Sequence, residues 1–216
     1  VAGHVTAHGD VDISAINEYS TPTATAVGYN DATAIGATVG RSTASASSTP
    51  LTMAYVEGSV TTASGSGGDI TVAATHGDTD GAAAGPAATA VGSAATYLGG
   101  SNVTATANTY TQPTVIAALG DRASNFQAPT RASLNADGDL NMTVLANTTV
   151  DPTALNTQSA WIAATGDAAA SAIAVNQTGV ILGAGSNAQT KGTATVSSNS
   201  FESASTQASG YIGSAF

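Results

Sequence analysis

A Gly-Asp pair opening a short run of alternating apolar and polar residues recurs along this chain. No other feature of the sequence limits its fold as much. The first copy is Gly9-Asp10-Val11-Asp12-Ile13-Ser14-Ala15 and the second is Gly68-Asp69-Ile70-Thr71-Val72-Ala73-Ala74. The third is Gly138-Asp139-Leu140-Asn141-Met142-Thr143-Val144; a fourth, Gly192-Thr193-Ala194-Thr195-Val196-Ser197, lacks the aspartate. Period-two alternation puts neighbouring side chains on opposite faces of a strand, and Gly-Asp supplies the turn before it. A unit that repeats at a long period stacks on its neighbours to bury its apolar face.

A second apolar strand sits late in each unit and ends in a glycine turn: Met53–Gly58, Ile116–Asp121 and Val180–Gly185. Thr/Ala alternations lie between the two elements: Thr23–Gly28, Ala88–Gly92 and Ser171–Val175. The chain thus divides into one repeat domain over 1–216, with units 9–67, 68–137, 138–191 and a partial 192–216. A unit of this length has room for about three coils of roughly 20 residues each. The expected fold is all-β, a parallel β-solenoid. A β-sandwich with strand exchange between subunits is the alternative, since short strands and turns also suit it. Helix is disfavoured, because Thr, Gly, Ser and Asn interrupt nearly every alanine-rich window.

Composition removes several functions. Charged residues are 8% of the chain, and 14 acidic residues against 4 basic ones give a formal net charge of −10. Such a surface repels phosphate backbones and anionic membranes, so nucleic acid is not an expected partner. No window approaches about 18 consecutive apolar residues, so no membrane-spanning helix is expected. With no cysteine, disulfides, thiol catalysis and Cys–zinc sites are absent. The sequence starts at Val1 without an initiator Met or a signal peptide, as a processed chain or an internal segment would.

Chemical constellations are sparse. His4 and His8 are spaced to share a helical or strand face, but no third metal ligand stands near. With His76 they read as solvent-exposed histidines. The acidic pairs Asp10/Asp12, Asp78/Asp80 and Asp137/Asp139 read as turn aspartates bonding backbone, leaving room for weak calcium binding. Gly65-Ser66-Gly67-Gly68 is a flexible turn and not a nucleophile elbow. Sequons occur at Asn102, Asn141, Asn147 and Asn176. Tyr29, Tyr55, Tyr97 and Trp161 are candidate platforms for stacking sugars. No residue is assigned a catalytic, cofactor-binding or metal-ligating role.

The succession of a strand such as Gly68–Ala74, a Thr/Ala alternation and a strand such as Ala54–Gly58 resembles the repeats of giant bacterial filamentous adhesins. These are the leukotoxin-like and filamentous-haemagglutinin-like exoproteins, and Pro50–Asp69 carries the closest likeness. The resemblance implies a right-handed parallel β-helix, export to the cell surface and a role as adhesin shaft or matrix fibre. The irregular stretch Asn125–Arg131 and the residues Pro152 and Trp161 depart from it. The segment Ala26–Asn30 with Ala34–Gly36 is locally similar to trimeric autotransporter head repeats. The expected function is therefore extracellular and structural, without catalysis. Its partners would be other copies or neighbouring repeats end to end, and surface carbohydrate. A Thr-rich module binding ice or carbohydrate is the alternative.

Overall fold

A computed structural model describes residues 2–18, 23–77, 85–120 and 131–214. The chain is all-β and its sheets are parallel, one of them curled. Its strands are β1 (Ala2–Ala7), β2 (Val11–Asn17), β3 (Thr23–Ser48), β4 (Leu51–Thr62), β5 (Ile70–His76), β6 (Ala87–Thr111) and β7 (Thr114–Leu119). They continue as β8 (Ser133–Ala136), β9 (Leu140–Ala160), β10 (Ala163–Ala174), β11 (Gln177–Leu182), β12 (Asn187–Thr190), β13 (Ala194–Ala204) and β14 (Gln207–Ser214). Asp78, Asp80 and the segment 125–130 lie outside the described residues.

Pairing joins each unit to the next. Val11 pairs with Ile70, Ile70 with Leu140 and Leu140 with Ala194, steps of 59, 70 and 54 residues. Thr23 pairs with Ala87 and Ala87 with Asp151; Leu51 pairs with Thr114 and Thr114 with Gln177. Each unit therefore contributes one layer. The expectation of three coils of roughly 20 residues within a unit does not hold among the described residues. The reason lies in β3 and β6, 26 and 25 residues long, which bend without breaking. At the bend of β6, Gly99 has φ 146°, a conformation only glycine enters easily. The two halves of β3 fold back as facing arms, and Ser42 donates its hydroxyl to the Ala26 carbonyl at 2.8 Å.

Two cores result. The larger gathers Val56, Val60, Ile70, Val72, Leu119, Leu134, Met142 and Val144 from β4, β5, β7, β8 and β9, all at most 1% exposed. The second, between the arms, is made of alanine alone: Ala44, Ala46, Ala88, Ala90, Ala105, Ala107 and Ala154. A methyl group on each side brings two backbones closer than valine or leucine would allow, and dispersion contacts replace bulk. Toward the tip the arms bury a connected polar set. Asn156 Nδ2 donates to the Val103 carbonyl at 2.8 Å, Gln158 Nε2 to Asn156 Oδ1 at 3.1 Å, and Ser101 Oγ to Gln158 Oε1 at 3.1 Å. The hydroxyls of Thr38 and Thr96 are 2.7 Å apart beside them. Mutual satisfaction keeps these groups from costing desolvation energy without return.

The alanine core predicts an asymmetry between faces. Ala105→Leu should cost about 1–3 kcal/mol by overpacking the arms, whereas Thr104→Leu on the outward face should fall within about 0.5 kcal/mol. Denaturant midpoints of the two variants against the parent chain measure this.

Candidate functional site

Where the Gly-Asp pairs stack, the structure builds a continuous seam. The Asp69 N–H donates to Asp10 Oδ1 at 2.9 Å, the Asp139 N–H to Asp69 Oδ1 at 2.7 Å, and the Thr193 N–H to Asp139 Oδ1 at 2.7 Å. In the opposite sense Val11 N–H donates to the Asp69 carbonyl at 2.8 Å, Ile70 to Asp139 at 2.9 Å and Leu140 to Thr193 at 2.9 Å. Each aspartate thus spans two layers, and charge-assisted bonds of this kind are stronger than neutral ones. Glycine precedes it because the next layer presses close. A Cβ on Gly68 would lie 2.7 Å from the Gly9 carbonyl oxygen, and one on Gly192 would lie 2.8 Å from that of Gly138.

A second carboxylate anchors the same edge. Asp137 accepts from Lys191 Nζ and from the Gly67 N–H at 2.8 Å, while its own N–H donates to Thr62 Oγ1 at 2.7 Å. The Lys191 hydrogen bond, then that of Gly67, hold the Asp137 carboxyl below the usual carboxylate range. The carboxylates of Asp10, Asp137 and Asp139 are therefore engaged by backbone N–H groups and lysine. Among the described residues no three His, Asp or Glu side chains converge as metal ligands.

The histidines separate. His4 and His8 are exposed, and His4 Nδ1 meets the Ser59 hydroxyl. His76, expected at the surface, is fully buried at the end of β5, between Asn17 and Ala146 in register. Neither of its ring nitrogens has a hydrogen-bond partner among the described residues, and burial pushes its pKa down. The sequon residue Asn176 is also occupied: its side chain bonds Thr148 at 2.8 Å and Ser200 at 3.0 Å.

Of the aromatic candidates, the structure unites Tyr97 and Trp161. Their rings are parallel within 9° with centroids 6.5 Å apart, although 73% and 55% of their surfaces face solvent. Both sit where an arm turns back. With Tyr211, Thr96, Ser159 and Gly213 they line an open cleft of about 380 Å³. Tyr29 and Tyr55 do not join it. Tyr211 was not singled out from the sequence; its signal was positional, since Tyr29, Ser93, Thr157 and Tyr211 occupy one column of the stack.

No known protein family matches the chain, no curated protein resembles it in sequence, and no solved structure resembles it in fold.

Two expected outcomes follow from the seam and the buried imidazole. Asp69→Ala leaves the Asp139 N–H without its acceptor and should cost about 1–3 kcal/mol, with Asp69→Asn retaining part of the difference, by thermal denaturation. His76 has a folded pKa below its ordinary 6.5, so stability should be level above about pH 6.5 and fall as pH drops below it. His76→Leu should remove that fall in denaturation curves taken from pH 8 to pH 5.

Proposed function

We propose that the chain is a non-catalytic, extracellular structural segment, a shaft of a surface adhesin or a subunit of a filament. In this reading it forms a right-handed parallel β-helix whose coil is a whole unit. The observation that carries it is the unit-for-unit parallel register, which has no built-in limit on the number of layers. Inward positions of β5, β6 and β9 are buried, whereas those of β2 and β10 are only half-buried and β13 is almost wholly exposed. In the inward column Ile13, Val72, Met142, Val196 the two middle residues are buried, whereas Val196 is 61% exposed. Rods made this way expose few flexible loops and rely on no cross-links.

Electron microscopy and fibre diffraction of the natural material test this. Thin fibres with an axial spacing of about 4.8 Å are expected, since strands would lie across the axis. Compact particles without that spacing would overturn it.

The cleft of Tyr97, Trp161 and Tyr211 favours a second reading, a carbohydrate platform. Exposed aromatic faces bordered by the hydroxyls of Thr96 and Ser159 suit an uncharged sugar chain. Glycan-array binding that Trp161→Ala reduces at least tenfold is the expected result for this reading. Ice binding is less favoured: Thr25, Thr89 and Thr153 stack, but the adjacent column runs Thr23, Ala87, Asp151, so no flat two-column threonine array forms.

A further inference from the structure

The two cores form separate apolar clusters, and the chain crosses between them where β3 gives way to β4, β5 to β6 and β6 to β7. This waist is polar. In the third layer hydrogen bonds close it. Thr148 Oγ1 donates to Asn176 Oδ1 at 2.8 Å, and Asn176 Nδ2 donates to Ser200 Oγ at 3.0 Å and to the Phe201 carbonyl at 3.1 Å. In the second layer the place of Asn176 falls to Pro113, since Thr114 pairs with Gln177 and the Pro113 carbonyl accepts from the Gln177 N–H. Proline brings no N–H of its own. The buried side-chain polar atoms left without a partner among the described residues all belong to the waist. They are both ring nitrogens of His76 at the end of β5, Thr111 Oγ1 at the end of β6 and Thr52 Oγ1 near the start of β4. His76 lies in the second layer and is covered on one side by Asn17 and on the other by Ala146.

We propose that the waist is an acid-sensitive hinge, opened by protonation of His76 while both cores stay folded. Among the described residues a charged imidazole finds no counter-ion in the closed waist. Asp12 of β2, Tyr55 and Glu57 of β4 and Asp151 of β9 alternate to the outward face, and Glu18 is exposed beyond β2. Strands β7 and β8 carry no ionisable group, and Asp69, Asp137 and Asp139 stand at the far end of β5. Glu202, on the inward face of β13, is two layers from His76 and accepts from the Asn176 N–H at 2.7 Å. Asp78, Asp80 and Asp121 lie outside the described residues. A buried cation without a partner is costly, so the proton is taken up in the open form. The neutral ring makes no hydrogen bond either, which leaves the closed waist weakly held. Gly77, with φ 86°, turns the chain directly after His76 and is the residue best able to change course. In the closed form burial holds the His76 pKa below its ordinary 6.5, and the open form regains that value. The open-to-closed ratio is therefore level above about pH 6.5 and rises below it, by at most about tenfold per pH unit.

Hydrogen exchange of the whole chain at about pH 7.5 and about pH 5.5, corrected for the intrinsic effect of pH on exchange, reads the hinge. The waist amides of Gly77, Gln112 and Thr114, which bond the carbonyls of Asn17, Ser48 and Pro50, should lose protection several-fold, up to about tenfold, at the lower pH. Those of Val72 and Val144 in one core and of Ala90 and Ala105 in the other should keep theirs. In His76→Gln the waist amides should be equally protected at both pH values. NMR titration of the parent chain should place the His76 pKa below 6.5, a readout that does not depend on the variant folding. Waist protection that ignores pH in the parent, or a loss that persists in His76→Gln, would overturn the hinge. So would core amides that open in step with the waist, or an imidazole that titrates at or above its ordinary value.

Discussion

The backbone of each unit lies directly against the backbone of the next, and the rest of the structure depends on that contact. Parallel strands one unit apart share their hydrogen bonds, so register is set everywhere by the same step along the chain. Where the path turns, the contact becomes too close for a Cβ, and Gly58, Gly68, Gly99, Gly138 and Gly192 mark the places. The aspartates that follow glycine turn this constraint into cohesion. Each carboxylate holds an amide of the layer that follows it, so a turn, normally the loosest part of a strand protein, becomes a fixed point.

Between those points the cross-section is shared by two unlike cores. One uses Val, Ile, Leu and Met and gains its energy from buried area. The other uses alanine and gains it from close approach of two arms. This resolves the apparent poverty of the composition, with few aromatics and much Ala, Thr and Ser. Alternation sends alanine inward and threonine outward along the same strand, so a chain with little bulk still fills its interior.

Much of this was legible in the sequence. Alternation after each Gly-Asp announced strands β2, β5 and β9, and β13 begins after the degraded copy Gly192-Thr193; the four lie side by side. The width of a layer was not legible, because the run Ala87–Thr111 changes the phase of its alternation at Gly99-Gly100, and a glycine pair suits a turn between two strands as well as a bend within one. The burial of His76 was hidden for a similar reason. Histidine is ambivalent between surface and interior, and only the column from Asn17 to Ala146 decides which side it takes. Tyr97 and Trp161 were recognisable as aromatic, but their meeting depends on a step of one unit between two bends.

The long step between paired residues also governs how such a chain reaches its structure. Every ladder partner is more than fifty residues away, so the first two layers must close loops of that size before any sheet forms. Thereafter each new layer finds a finished edge and adds residue by residue along it. Acquisition of structure should then be slow to start and directional once begun, growing from whichever pair of units meets first. A chain delivered from one end, as during synthesis or export, would be ordered by its own leading layers.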